Sequence, residues 1–85
     1  EDLLQIAHAL EEGKVDTLIV EADRVIPGFY NGVNKRIEAG DVKHHVLGDL
    51  INQFAKMAML HKGNVIVLPK DRFPTKTGCA AIYRY

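Results

Sequence analysis

Val15-Asp16-Thr17-Leu18-Ile19-Val20 and Val65-Ile66-Val67-Leu68 are two apolar segments of the chain. Each places apolar residues on consecutive positions. Neighbouring residues of a strand point to opposite faces, so such runs predict strands covered on both sides. Between them Val46, Leu47, Leu50, Ile51, Phe54, Met57, Ala58 and His61 recur at helical steps, and Gly63 closes the pattern. Gly48, inside that helix, costs about 1 kcal/mol relative to Ala and is expected to serve close packing. Strand, helix and strand in this order predict a right-handed parallel crossover.

Working outward, Leu3, Leu4, Ile6, Ala7 and Leu10 give a helix over residues 2–12, capped by Asp2 and ended by Gly13. The first helix is expected to cover the sheet face opposite the second, giving a three-layer α/β/α domain. Residues 79–85 form a last strand, and Ile82 is expected in the core of the same sheet as Leu18. Residues 21–45 are harder to read. Pro27-Gly28 and Asn31-Gly32 signal turns around a short Phe29-Tyr30 strand, and Gly40-Asp41 predicts a small hairpin between residues 36–38 and 42–44.

The chain has 85 residues, enough for one domain over residues 1–85. It opens on Glu1 rather than Met and already reads as helix there, so it is expected to be a domain of a longer or processed protein. With 47% hydrophobic and 26% charged residues it belongs to the globular class. No apolar run reaches membrane-spanning length, and no signal peptide opens the chain. A single cysteine, Cys79, excludes an internal disulfide and fits a reducing, cytoplasmic setting. No Ser is present, which removes Ser-based hydrolysis and the Ser form of the P-loop.

Charge is uneven along the chain. Residues 1–23 hold seven acids against Lys14, a balance of −6, while Arg24 onward holds ten bases against four acids, a balance of +6. Lys70, Arg72 and Lys76 gather in one loop with Phe73, a candidate for contact with phosphate or an acidic partner. Of the four histidines, His44 and His45 are adjacent and form a poor chelate, while His61 suits a helix C-terminus. Cys79 opens an apolar strand and reads as core. Neither a metal nor a nucleotide cofactor is expected, since no ligand spacing and no glycine-rich phosphate loop occurs. Glu21 and Asp23 stand at the carboxyl end of the first strand, where open α/β sheets place ligands.

The segment Ala9-Leu10-Glu11-Glu12-Gly13-Lys14 followed by Val15-Asp16-Thr17-Leu18-Ile19-Val20 resembles the start of the C-terminal domain of class-1 release factors and Pelota, "A-L-x-x-G" then "V-D-T-L-L-I". Lys62-Gly63-Asn64-Val65-Ile66-Val67 resembles that family's "G-G-x-V-x-I" strand. Thr77-Gly78-Cys79-Ala80-Ala81-Ile82-Tyr83-Arg84-Tyr85 is similar to its closing "G-G-I-A-A-I-L-R-Y". The wording of residues 68–75 resembles the bacterial branch. Residues 32–40 faintly echo the "G-x-N-E-x-x-K" signature of kink-turn-binding ribosomal proteins. Yet they follow the first strand instead of preceding it, and Lys35 replaces the acid.

The resemblance implies the three-layer α/β/α sandwich around a mixed β-sheet that is shared with those ribosomal proteins. It implies a non-catalytic interaction module, a monomer in isolation, that docks a translational GTPase or the ribosome in termination, rescue or dormancy. The family's hydrolytic Gly-Gly-Gln triplet does not occur in this chain. Candidate partner-binding residues are Arg24, Lys35, Arg36, Lys70, Arg72, Phe73 and Lys76. Two alternatives stay open: an RNA-binding domain of the kink-turn type using the same bases, and a small-molecule-binding α/β domain with its site near Asp23.

Overall fold

The computed structural model describes residues 2–39 and 49–84. Helix α1 spans Leu3–Glu11, and Asp2 caps it by accepting from the Leu4 amide. Gly13, at φ +73°, takes the left-handed turn that ends it and leads into strand β1, Val15–Glu21. Strands β2, Gly28–Asn31, and β3, Arg36–Ala39, form a hairpin. Helix α2, Leu50–Leu60, is capped by Asp49, whose carboxylate also accepts from the Ile26 amide. Strand β4, Asn64–Leu68, a 3-10 turn at Lys70–Arg72 and strand β5, Cys79–Tyr83, complete the order.

The main sheet is mixed, in the order β4-β1-β5. β4 runs parallel to β1 with Leu18 beside Val65 and Ile19 beside Ile66, as the strand–helix–strand reading expects. β5 runs antiparallel along the other edge, with Leu18 beside Ala81 and Ile19 beside Ala80. The backbones come very close where α2 hands over to β4. A Cβ on Gly63 would stand 3.0 Å from the Val15 carbonyl oxygen and 3.1 Å from that of Ala58. Gly63 therefore lets the crossover return tightly onto β1, and the left-handed residue ending the helix is its neighbour Lys62, at φ +62°.

Cross-strand partners share a face, so the sheet divides cleanly. Leu18, Val20, Cys79 and Ala81 lie on one side, in one buried cluster with Ile6 and Leu10 of α1 and Leu50, Phe54 and Ala58 of α2. A β-bulge between Val15 and Thr17 turns Val15 to this same side, where it is 2% exposed. Thr17, Ile19, Ile66, Ala80 and Ile82 occupy the opposite side.

Three expectations from the sequence change here. α1 shares its cluster with α2, so both helices lie against one face of the sheet, where α1 was expected on the opposite one. β4 is an edge strand, since no described strand pairs beyond it; Ile66, on the side away from the helices, is 45% exposed, and Val67, on the helix side beside Val20, is 60% exposed at that edge. Ile82 is in the same sheet as Leu18 but is 51% exposed, because its register partner is Thr17 on the uncovered side. The described hairpin turns around residues 32–35, at the expected Asn31-Gly32 turn. Asn31 and Asn34 accept there from the Val33 and Arg36 amides, which fixes the bend. The Gly40-Asp41 turn, Val46, Leu47, Gly48 and the His44-His45 pair lie outside the described residues.

The division of faces carries a measurable contrast. Leu18→Ala, at a fully buried site, is expected to cost about 2–5 kcal/mol in urea unfolding. Ile82→Ala is expected to cost less than about 1 kcal/mol, as an exposed position does. Equal losses at the two sites would contradict the assignment of the faces.

Candidate functional site

The carboxyl ends of β1 and β4 gather most of the expected partner-binding residues. The Ala22 amide donates to the Leu68 carbonyl at 2.8 Å and the Glu21 amide to that of Gly78 at 3.0 Å, which locks the ends of the three strands together. Lys70 and Arg72 lie on the short 3-10 turn directly after β4, where Pro69 stops the strand. Both are exposed, as is Lys76, and among the described residues none of the three forms an ion pair. Phe73 is half-buried behind them, its amide donating to Lys70. Thr75 and Thr77 hold the loop down, each hydroxyl donating to the Cys79 carbonyl.

Arg24 joins this end of the molecule. Its guanidinium lies 3.6 Å from the buried Glu21 carboxylate, and its stem runs past Gly78, where a Cβ would meet Arg24 Cγ at 3.2 Å. Gly78 also adopts φ +87°, so two separate constraints favour glycine there. Asp23 is exposed and sits in a left-handed turn at φ +60°. Glu21 thus answers to Arg24 beside it and Asp23 to the turn.

Lys35 and Arg36 stand apart from this group. Lys35 ends the hairpin turn, at φ +61°, with its ammonium paired to Glu11 on the last turn of α1 and its carbonyl oxygen 3.2 Å from His8 Nε2. Arg36 is exposed at the start of β3. No described hydrogen bond or ion pair connects these two residues to the loop bearing Lys70.

Between α1 and the hairpin lies a cavity of about 310 Å³ lined by His8, Glu11, Glu12, Tyr30 and Lys35. Gln53 of α2 positions Tyr30 from behind: its side-chain oxygen accepts from the Tyr30 amide at 2.7 Å, and its amide nitrogen donates to the Tyr30 carbonyl at 2.9 Å. The Tyr30 and His8 rings meet edge to face with centroids 5.8 Å apart. Two buried polar atoms of the lining, Tyr30 Oη and Glu11 Oε2, lack a hydrogen-bond partner. The sequence reading missed this cavity. Its walls come from two segments, His8 to Glu12 and Tyr30 to Lys35, that only the hairpin packing joins, and the acids of the first read as an ordinary solvated face.

His61 is the C-cap residue of α2, the place expected of it, and its carbonyl accepts from Arg84. No group of three or more His, Cys, Asp or Glu side chains among the described residues is arranged to hold a metal ion. No described helix is long and apolar enough to cross a membrane. A comparison with known families finds no family that matches the chain, and a comparison with curated proteins finds no match either.

Cys79 is fully buried, and burial pushes its thiol up from 9.0 to about 11, aided by the Asp49 carboxylate and opposed by Arg24. The folded state keeps a proton that the unfolded chain releases near pH 9, so this contribution is intact below that pH. It disappears as the pH rises towards 11, a loss of roughly 2–3 kcal/mol. Urea unfolding from pH 8 to pH 11 is expected to show a steeper alkaline decline for the native chain than for Cys79→Ala. Parallel declines would show that the thiol ionises freely in the fold.

Proposed function

We propose that the chain is a non-catalytic interaction module of the kind found at the C-terminus of bacterial release-factor-like proteins, and that it docks a translational GTPase. The observation that carries the reading is the basic end of the sheet, where exposed Lys70, Arg72 and Lys76 surround half-buried Phe73. Exposed cations without acid partners favour an acidic protein surface and speed encounter with it. An aromatic residue among them supplies the apolar contact typical of an interface core. The three sequence segments that resemble the family fall on α1 with β1, on β4 and on β5, which together make the sheet and one helix.

The same reading extends the fold to a three-layer sandwich. The face bearing Ile19, Ile66 and Ile82 is apolar and uncovered by any described helix, which suits a further layer seated upon it. Lys35 and Arg36 contribute less on this account than the sequence suggests, since Lys35 is engaged by Glu11.

The test is binding to a purified bacterial translational GTPase, with and without ribosomes, read by co-sedimentation and by interferometry. The expected result is a complex that weakens with salt and falls at least about tenfold in affinity in K70E/R72E/K76E, since each reversed charge adds repulsion to lost attraction. Binding to ribosomal RNA fragments alone, equally salt-dependent, would point instead to the RNA-binding alternative. Absence of a complex with the GTPase in either setting would overturn the proposal.

A further inference from the structure

The cavity between α1 and the β2–β3 hairpin has features that a solvated crevice lacks. Tyr30 is 5% exposed and its hydroxyl has no partner, although a buried phenol ordinarily finds one. Glu11 presents the same anomaly. One carboxylate oxygen holds Lys35, while Oε2 is buried and unmatched. Leaving such atoms unpaired is costly, and more so for a charged group. Both oxygens are able to accept a hydrogen bond from a donor seated in the cavity.

The charge of the walls narrows its chemistry. Glu11 and Glu12 bring two carboxylates against the one ammonium of Lys35, and Lys14 meets Glu12 at 3.5 Å from outside the cavity lining. Residues 1–23, which supply the α1 wall, carry seven acids and one base. An anion would meet the carboxylates of Glu11 and Glu12, whereas a donor of hydrogen bonds meets two acceptors, Glu11 Oε2 and Tyr30 Oη. A protonated amine answers both orphaned atoms, because its N–H groups donate to Glu11 Oε2 and to the phenol oxygen in charge-assisted bonds. The His8 and Tyr30 rings supply an aromatic lining of the kind that favours a cation and the short alkyl stem behind it. At about 310 Å³ the space stands at the lower end of small-molecule sites, roughly 300–1,000 Å³.

We propose that this cavity is a binding site for a small primary amine in its protonated form, with Glu11 and Tyr30 as its hydrogen-bonding residues and Lys35 as the latch that fixes the Glu11 carboxylate. The site lies apart from the basic end of the sheet and does not depend on the docking role. Its test is an NMR titration of the whole chain with n-propylammonium, using 1-propanol and propionate as matched neutral and anionic probes.

The expected result is saturable shifts at the amides of His8, Glu11, Tyr30 and Lys35 with the ammonium probe and none with the other two. Tyr30→Phe keeps the ring and removes only the hydroxyl, and it should weaken the amine about tenfold, the loss of one hydrogen bond to a charged group. Glu11→Gln should abolish saturation. If Glu11→Gln loses the dispersed spectrum of the native fold, Tyr30→Phe alone decides. Three outcomes would overturn the proposal: no saturation with the ammonium, which would mean that water alone fills the cavity; equal binding of propanol; or an unchanged affinity in Tyr30→Phe.

Discussion

The structure depends on β1 having a hydrogen-bonded neighbour along each of its edges. A strand as apolar as Val15–Val20 cannot leave its backbone groups unpaired beneath two helices, because buried amides without partners are costly. β4 satisfies one edge in parallel and β5 the other in antiparallel sense. Two local features make this arrangement feasible. Gly63 admits the backbone of the crossover within contact distance of the Val15 and Asp16 carbonyls. The bulge before Thr17 turns Val15 under the helices together with Leu18.

Once β1 is held in this way, the two ends of the molecule acquire different characters. The connections that leave β1 and β4 at their carboxyl ends are short and polar, and they bring Arg24, Lys70, Arg72 and Lys76 to one place. The acids of α1 fall at the other group of loops, against the hairpin, where Lys35 is drawn in as their counter-charge. The two functional readings rest on these two places: exposed cations at one, and at the other a cavity with carboxylate and phenol oxygens in its walls.

Much of this was legible in the sequence. Asp2 and Gly13 marked the ends of α1, and the β1–α2–β4 succession indicated a parallel pair. What the sequence did not reveal was which strand lies in the middle. A run such as Val65–Leu68 is equally apolar at an edge or at a centre, and only the order β4-β1-β5 shows that it lies at an edge. The exposure of Ile82 has the same origin, since register with Thr17 decides its face. The bend between β2 and β3 was legible as the Asn31-Gly32 turn signal, and the side-chain bonds of Asn31 and Asn34 give it its physical basis. Of the candidate residues, those of the Lys70 loop were visible as a cluster in sequence, whereas Tyr30 and Glu11 become neighbours only through tertiary packing.

The central position of β1 is open to direct measurement. In an isotope-labelled sample, backbone nuclear Overhauser contacts from Ile19 are expected to reach Ile66 and its neighbours on one side and Ala80 and its neighbours on the other, in parallel and antiparallel patterns respectively. Contacts to only one of those strands, or a pairing of β4 with β5, would contradict the account.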